Sequence, residues 1–108
     1  MTERPVNLKK LRPGDAERLI RKRAAKTENI IDTTHSDDRS DERDILKPDI
    51  LRILREGYVD EAPLVNERGD WEAKVCKNIN GGRTAVVVTI ILTDNDSLVI
   101  KTVYWKDV

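Results

Sequence analysis

Cysteine is nearly missing from this chain: Cys76 stands alone, so no disulfide can close within it. No stretch approaches the roughly 20 apolar residues that a membrane-spanning helix needs. No apolar run lies behind residues 1–5 to act as a secretory leader. These absences point to a reducing, cytoplasmic setting away from membranes. Net charge is also absent, because twenty Lys and Arg balance twenty Asp and Glu. A neutral chain lacks the basic excess of a broad nucleic-acid binder, and no DNA partner is expected. One His and one Cys do not make a zinc site. The acids Asp37, Asp38, Asp41 and Asp44 lack the Gly and closing Glu of a calcium loop, so a solvated acidic face explains them. Asn80-Gly81-Gly82-Arg83 lacks the Lys-Ser/Thr ending of a phosphate loop and reads as a hairpin turn. No nucleophile sits in a recognisable elbow. Neither a metal nor a cofactor is expected.

What the chain does have is segregation. Residues 1–27 carry nine Lys/Arg against three acids, residues 28–62 carry five against eleven, and the remainder six of each. A basic arm beside an acidic middle fits polar pairing within or between chains; it also fits an arm for an anion. The 108 residues suit one domain. Residues 1–13 read as a flexible lead-in, with Pro13-Gly14 as a turn, and residues 14–108 as a single α+β domain.

Ala16, Leu19, Ile20, Arg23 and Ala24 repeat at helical spacing over residues 15–26, with Asp15 at the N-cap or first turn. This helix is expected to pack through Leu19 and Ile20 and to leave its Lys and Arg exposed. Residues 29–32 suit a short extended piece, and Ser36 caps a polar helix to about Arg43. Residues 47–57 give the clearest helix: Pro48 opens it, Ile50, Leu51, Ile53 and Leu54 form its stripe, and Gly57 is expected to close it with a positive φ. Three strands follow, at 71–76, 84–92 and 98–105, separated by Gly- and Asn-rich turns, with 58–65 as a fourth or a crossing. The expected fold is therefore N-terminal helices packed on a three- to four-stranded antiparallel sheet. Simple alternation puts Lys101, Val103 and Trp105 on one face and Ile100, Thr102 and Tyr104 on the other.

His35, Arg39 and Arg43 recur every four residues and share a face if that stretch is helical. A solvent face paired with neighbouring acids explains them, and so does a phosphate clamp. Lys74 and Lys101 lie in strands, Arg83 opens one, and Tyr104-Trp105 closes another. Lysines in apolar strands either snorkel to water or line a cleft.

From His35 to Trp105 the chain resembles the domain-of-unknown-function family 4258. The residues that carry this are His35, Arg39 and Glu42-Arg43-Asp44-Ile45, then Ile50, Ile53, Leu54 and Gly57, then Gly82-Arg83 and the close from Val99 to Tyr104. The layout is similar to RelE/ParE-type toxins, which implies phage, plasmid or toxin–antitoxin contexts and an antitoxin-like partner. Under that resemblance the reaction is metal-independent RNA cleavage. His35 is the acid or base, Arg39, Arg43 and Arg83 clamp phosphate, Lys101 neutralises charge, and Tyr104 or Trp105 stacks a base, with Lys74 beside them. The other function open to the sequence is a non-enzymatic interaction module that binds a protein, or a second copy, through a strand edge or apolar patch.

Overall fold

A computed structural model describes residues 11–33 and 45–106. Helix α1 spans Pro13–Ala24, a single tight turn Thr27–Asn29, strand β1 Ile30–Asp32 and helix α2 Lys47–Glu56. Strands β2 (Leu64–Val65), β3 (Trp71–Asn80), β4 (Arg83–Ile91) and β5 (Leu98–Trp105) follow. None of the described helices is long and apolar enough to cross a membrane.

The strands form one five-stranded sheet in the order β1-β5-β4-β3-β2. The sheet is mixed, which corrects the expectation of three or four antiparallel strands. The hairpins β3–β4 and β4–β5 are antiparallel, but β1 runs parallel to β5, pairing Ile30 with Leu98 and Asp32 with Ile100. The reason is connectivity. β1 and β5 are not consecutive: α2 and the strands β2, β3 and β4 lie between them, so no tight hairpin turn forces the two neighbours to oppose each other. The expected helix over residues 36–43 falls outside the described residues.

Both helices cover one face of the sheet. Ile50, Ile53 and Leu54 from α2 and Ala16, Ile20 and Ala24 from α1 are buried there with Val75, Val87, Ile91, Leu98 and Ile100. Fully burying one such aliphatic side chain stabilises the fold by roughly 1.5–3 kcal/mol. Leu11, ahead of the expected boundary at residue 14, is part of this core. Pro13 belongs to α1 rather than to a turn: it takes the first helical turn, where its missing N–H costs nothing. Arg12 is the N-cap, and the Asp15 carboxylate accepts its backbone N–H at 3.3 Å.

The helices cap each other at their C-terminal ends. Arg21 donates to the carbonyls of Glu56 and Gly57, and Arg55 Nε donates to the Ala24 carbonyl at 2.7 Å. Each guanidinium thus satisfies carbonyls that lack an intrahelical partner. Arg23 is itself buried, against the expectation that the basic residues of α1 stay exposed. Its Nη1 donates to the carbonyls of Leu92 and Ser97 and ties α1 to the β4–β5 turn. Desolvation lowers its pKa, and nearby Asp96 opposes that shift. On the other side of the same turn Asp70, also buried, accepts the Thr93 N–H and hydroxyl at 3.0 and 3.1 Å.

Gly57 closes α2, but not by a positive φ; its φ is −78°. Glycine is required by space instead. A Cβ there would stand 2.5 Å from the Ile53 carbonyl oxygen and 2.6 Å from that of Cys76. Positive φ is used at Gly81 and Gly82, in the β3–β4 turn.

Candidate nucleic-acid interface

The sheet has a helix-facing side and an opposite side, and the candidate residues divide between them. On β4, Ala85, Val87 and Ile91 point to the helices while Val86 and Val88 form a separate small cluster behind. Arg83 has the same parity as Ala85 and Val87. On β5 the simple alternation fails. Val88 pairs with Thr102 and Thr89 with Ile100, so Lys101 is an extra residue in a β-bulge. The bulge resets the phase: Leu98, Ile100, Val103 and Trp105 all join the helix-facing core. Lys101 and Tyr104 therefore share the other side, and the expected grouping of Lys101 with Val103 and Trp105 is corrected.

That other side is electrically balanced. Lys101 meets Glu72 at 3.0 Å, Lys106 meets Asp60 at 3.5 Å, and Lys74 reaches Glu61 at 3.9 Å. Tyr104 packs on the cluster of Cys76, Val86 and Val88. Burial pushes the Cys76 thiol above its ordinary pKa, helped by the nearby Asp60 carboxylate.

The hairpin end of the helix-facing side differs. The Arg83 guanidinium lies over the Trp105 ring, 4.1 Å from its centroid. Trp105 is only 6% exposed, so its ring is the floor beneath Arg83 and not an open stacking surface. One row across the sheet joins Lys77, Ala85 and Trp105 through their pairing. Lys77 is mostly buried, and its ammonium lies 3.5 Å from Glu56 Oε1. Arg52 lies 3.6 Å from the same oxygen. Glu56 is thus shared by two cations, with Arg83 two residues along β4 from the centre of that row. A guanidinium over an indole is a group that can stack on a base and pair with a phosphate.

Of the residues expected from sequence, Arg83 and Trp105 meet here. Lys74, Lys101 and Tyr104 lie on the opposite side. His35, Arg39 and Arg43 fall outside the described residues. Sequence reasoning missed Lys77 and Arg52. Lys77 carried a signal: it interrupts the apolar phase of β3, which runs Trp71, Ala73, Val75, Lys77, Ile79. Among the described residues no group of three or more His, Cys, Asp or Glu could hold a metal ion.

The model of the domain of unknown function DUF4258 matches residues 33–105. The chain belongs to the DUF4258 family. No curated protein and no solved structure matches it. The DUF4258 match spans the strands from β2 onward and α2, with the whole hairpin end and its Arg83, Trp105, Lys77 and Arg52. Helix α1 and β1 lie ahead of it; α1 joins α2 in the helix layer through their mutual capping, and β1 extends the same sheet beside β5.

Proposed function

We propose that the protein is an interaction module that holds a single-stranded RNA segment at the hairpin end of the helix-facing side. The observation that supports this reading is the Arg83 guanidinium stacked on Trp105, beside two further cations that share one carboxylate. Single strands suit such a site, because unstacked bases can lie on a guanidinium plane while the phosphates meet cations. The test is fluorescence anisotropy with a labelled single-stranded RNA across a salt series, with DNA of the same sequence as a control. Three phosphate contacts predict a slope of log affinity on log salt near about −2. Arg83→Ala is expected to flatten that slope by about 0.7. A salt-independent affinity, or one that Arg83→Ala leaves unchanged, refutes the reading.

A second reading, a metal-independent ribonuclease of the toxin type or an inactive relative, is favoured by how the stretch carrying His35, Arg39 and Arg43 is tethered. The Thr33 hydroxyl donates to the Ile100 carbonyl at 2.6 Å, and Ile45 is buried in the core. Both ends of that stretch are therefore fixed to the packed body that carries Arg83. In this reading His35 moves the proton, and Arg39, Arg43 and Arg83 grip the phosphate. Lys101 does not share a surface with Arg83. Incubation of RNA with the wild type and with His35→Ala, in the presence of chelator, decides it. Cleavage lost in the variant while binding persists supports catalysis; RNA left intact by the wild type removes the ribonuclease reading and leaves the binding one.

A further inference from the structure

The edge of the sheet farthest from β1 carries an observation independent of RNA. Strand β2 is the outermost strand, and among the described residues no strand pairs with its outer side. Leu64 is 71% and Val65 55% exposed, and Tyr58, at 43%, is paired through its backbone with Cys76 farther along the same edge of β3. Three large apolar side chains thus stand along one strand edge that still has backbone donors and acceptors to offer. Such an edge invites another strand.

We infer that the occupant is a second copy of this chain, with β2 pairing antiparallel to its counterpart around a two-fold axis. Self-complementarity singles out this partner. A two-fold axis between residues 64 and 65 places Leu64 opposite Val65 of the partner subunit, so apolar meets apolar. The same axis brings the β2–β3 turn, which carries Arg68 of the partner subunit, toward Glu61, and the pair occurs twice. Both side chains are about two thirds exposed, at 68% and 67%. Glu61 has a long contact within the monomer, 3.9 Å to Lys74, and Arg68, 3.5 Å from the buried Asp70 carboxylate, can bridge that acid and Glu61 of the partner subunit. Two five-stranded sheets would then join into one continuous sheet, which leaves the Arg83 end of each copy open.

Pro63 has no N–H to donate, which confines the ladder to the short β2 segment. The contact is therefore small and the dimer weak, with dissociation in roughly the micromolar to millimolar range. Sedimentation velocity of the full chain over a concentration series tests it. The wild type is expected to sediment faster as concentration rises. Leu64→Lys and Glu61→Arg should each sediment as a monomer throughout. Glu61→Arg combined with Arg68→Glu should restore association to within about two-fold of wild type, a rescue that general loss of folding cannot give. Circular dichroism melts of each variant confirm that the fold is intact. A wild type that stays monomeric across the series overturns the proposal. So does a Leu64→Lys variant that associates like the wild type, or a double variant with no recovery.

Discussion

The two sides of this sheet are built from the same strands and contain similar numbers of cations, yet they handle them differently. On the open side each lysine has its own carboxylate: Lys101 with Glu72, Lys106 with Asp60, Lys74 with Glu61. On the helix-facing side, at the C-terminal end of α2, Arg52 and Lys77 share Glu56, and Arg83 lies over an indole. The first arrangement is neutral, and exposed pairs of this kind contribute little to stability. The second sets two cations against one carboxylate and a third over an aromatic ring. A count of basic residues therefore does not locate an anion site; what matters is how many cations each acid must serve.

Substitutions can break or sharpen this contrast. The largest effect belongs to Gly57, where the helix layer meets β3. Gly57→Ala drives a methyl group into two backbone carbonyls, and the unfolding free energy in urea is expected to fall by about 3 kcal/mol. Next comes Arg23→Met, which leaves the Leu92 and Ser97 carbonyls without their buried donor; a loss of about 2 kcal/mol is expected in the same assay. Arg83→Ala is expected to weaken RNA binding about tenfold, with Arg83→Lys between it and the wild type, because charge survives while the stacked plane does not.

Smaller effects are expected on the open side. The Cys76 pKa is raised in the fold, so the stability from keeping the thiol neutral is fully present below the ordinary thiol pKa, about 8.5. It is lost as pH rises through that value toward the folded pKa. Urea midpoints between neutral and alkaline pH should fall less steeply in Cys76→Ala than in the wild type. Lys101→Met comes last, with a change under about 1 kcal/mol in stability and none in RNA affinity.

Much of the scaffold was legible because its signals are local. The stripe of α2, the β-branched run of β4 and the Gly81-Gly82 turn all follow from the period of the sequence. The mixed sheet was not legible, because three residues of β1 carry no direction; only the parallel pairing with β5 supplies it. The role of Gly57 was misread because close approach to Ile53 and Cys76 is a tertiary fact. The faces of β5 were misread for a similar reason. Lys101 and Thr102 are adjacent polar residues between apolar pairs, which is how a bulge looks, but only the register against β4 decides it. The candidate site inherited that error through Lys101. Lys77 was overlooked because a lysine in an apolar phase reads as a snorkel until Glu56 and Arg52 are placed beside it.

Tyr104 and Trp105 are neighbours in sequence that face opposite sides of the sheet, which makes them paired reporters. The most direct test follows their side-chain NMR signals as single-stranded RNA is titrated into the full chain. The Trp105 indole resonance should move in proportion to occupancy while the Tyr104 ring stays in place. Movement of Tyr104 with Trp105 unchanged would put the RNA on the charge-balanced side and contradict the account.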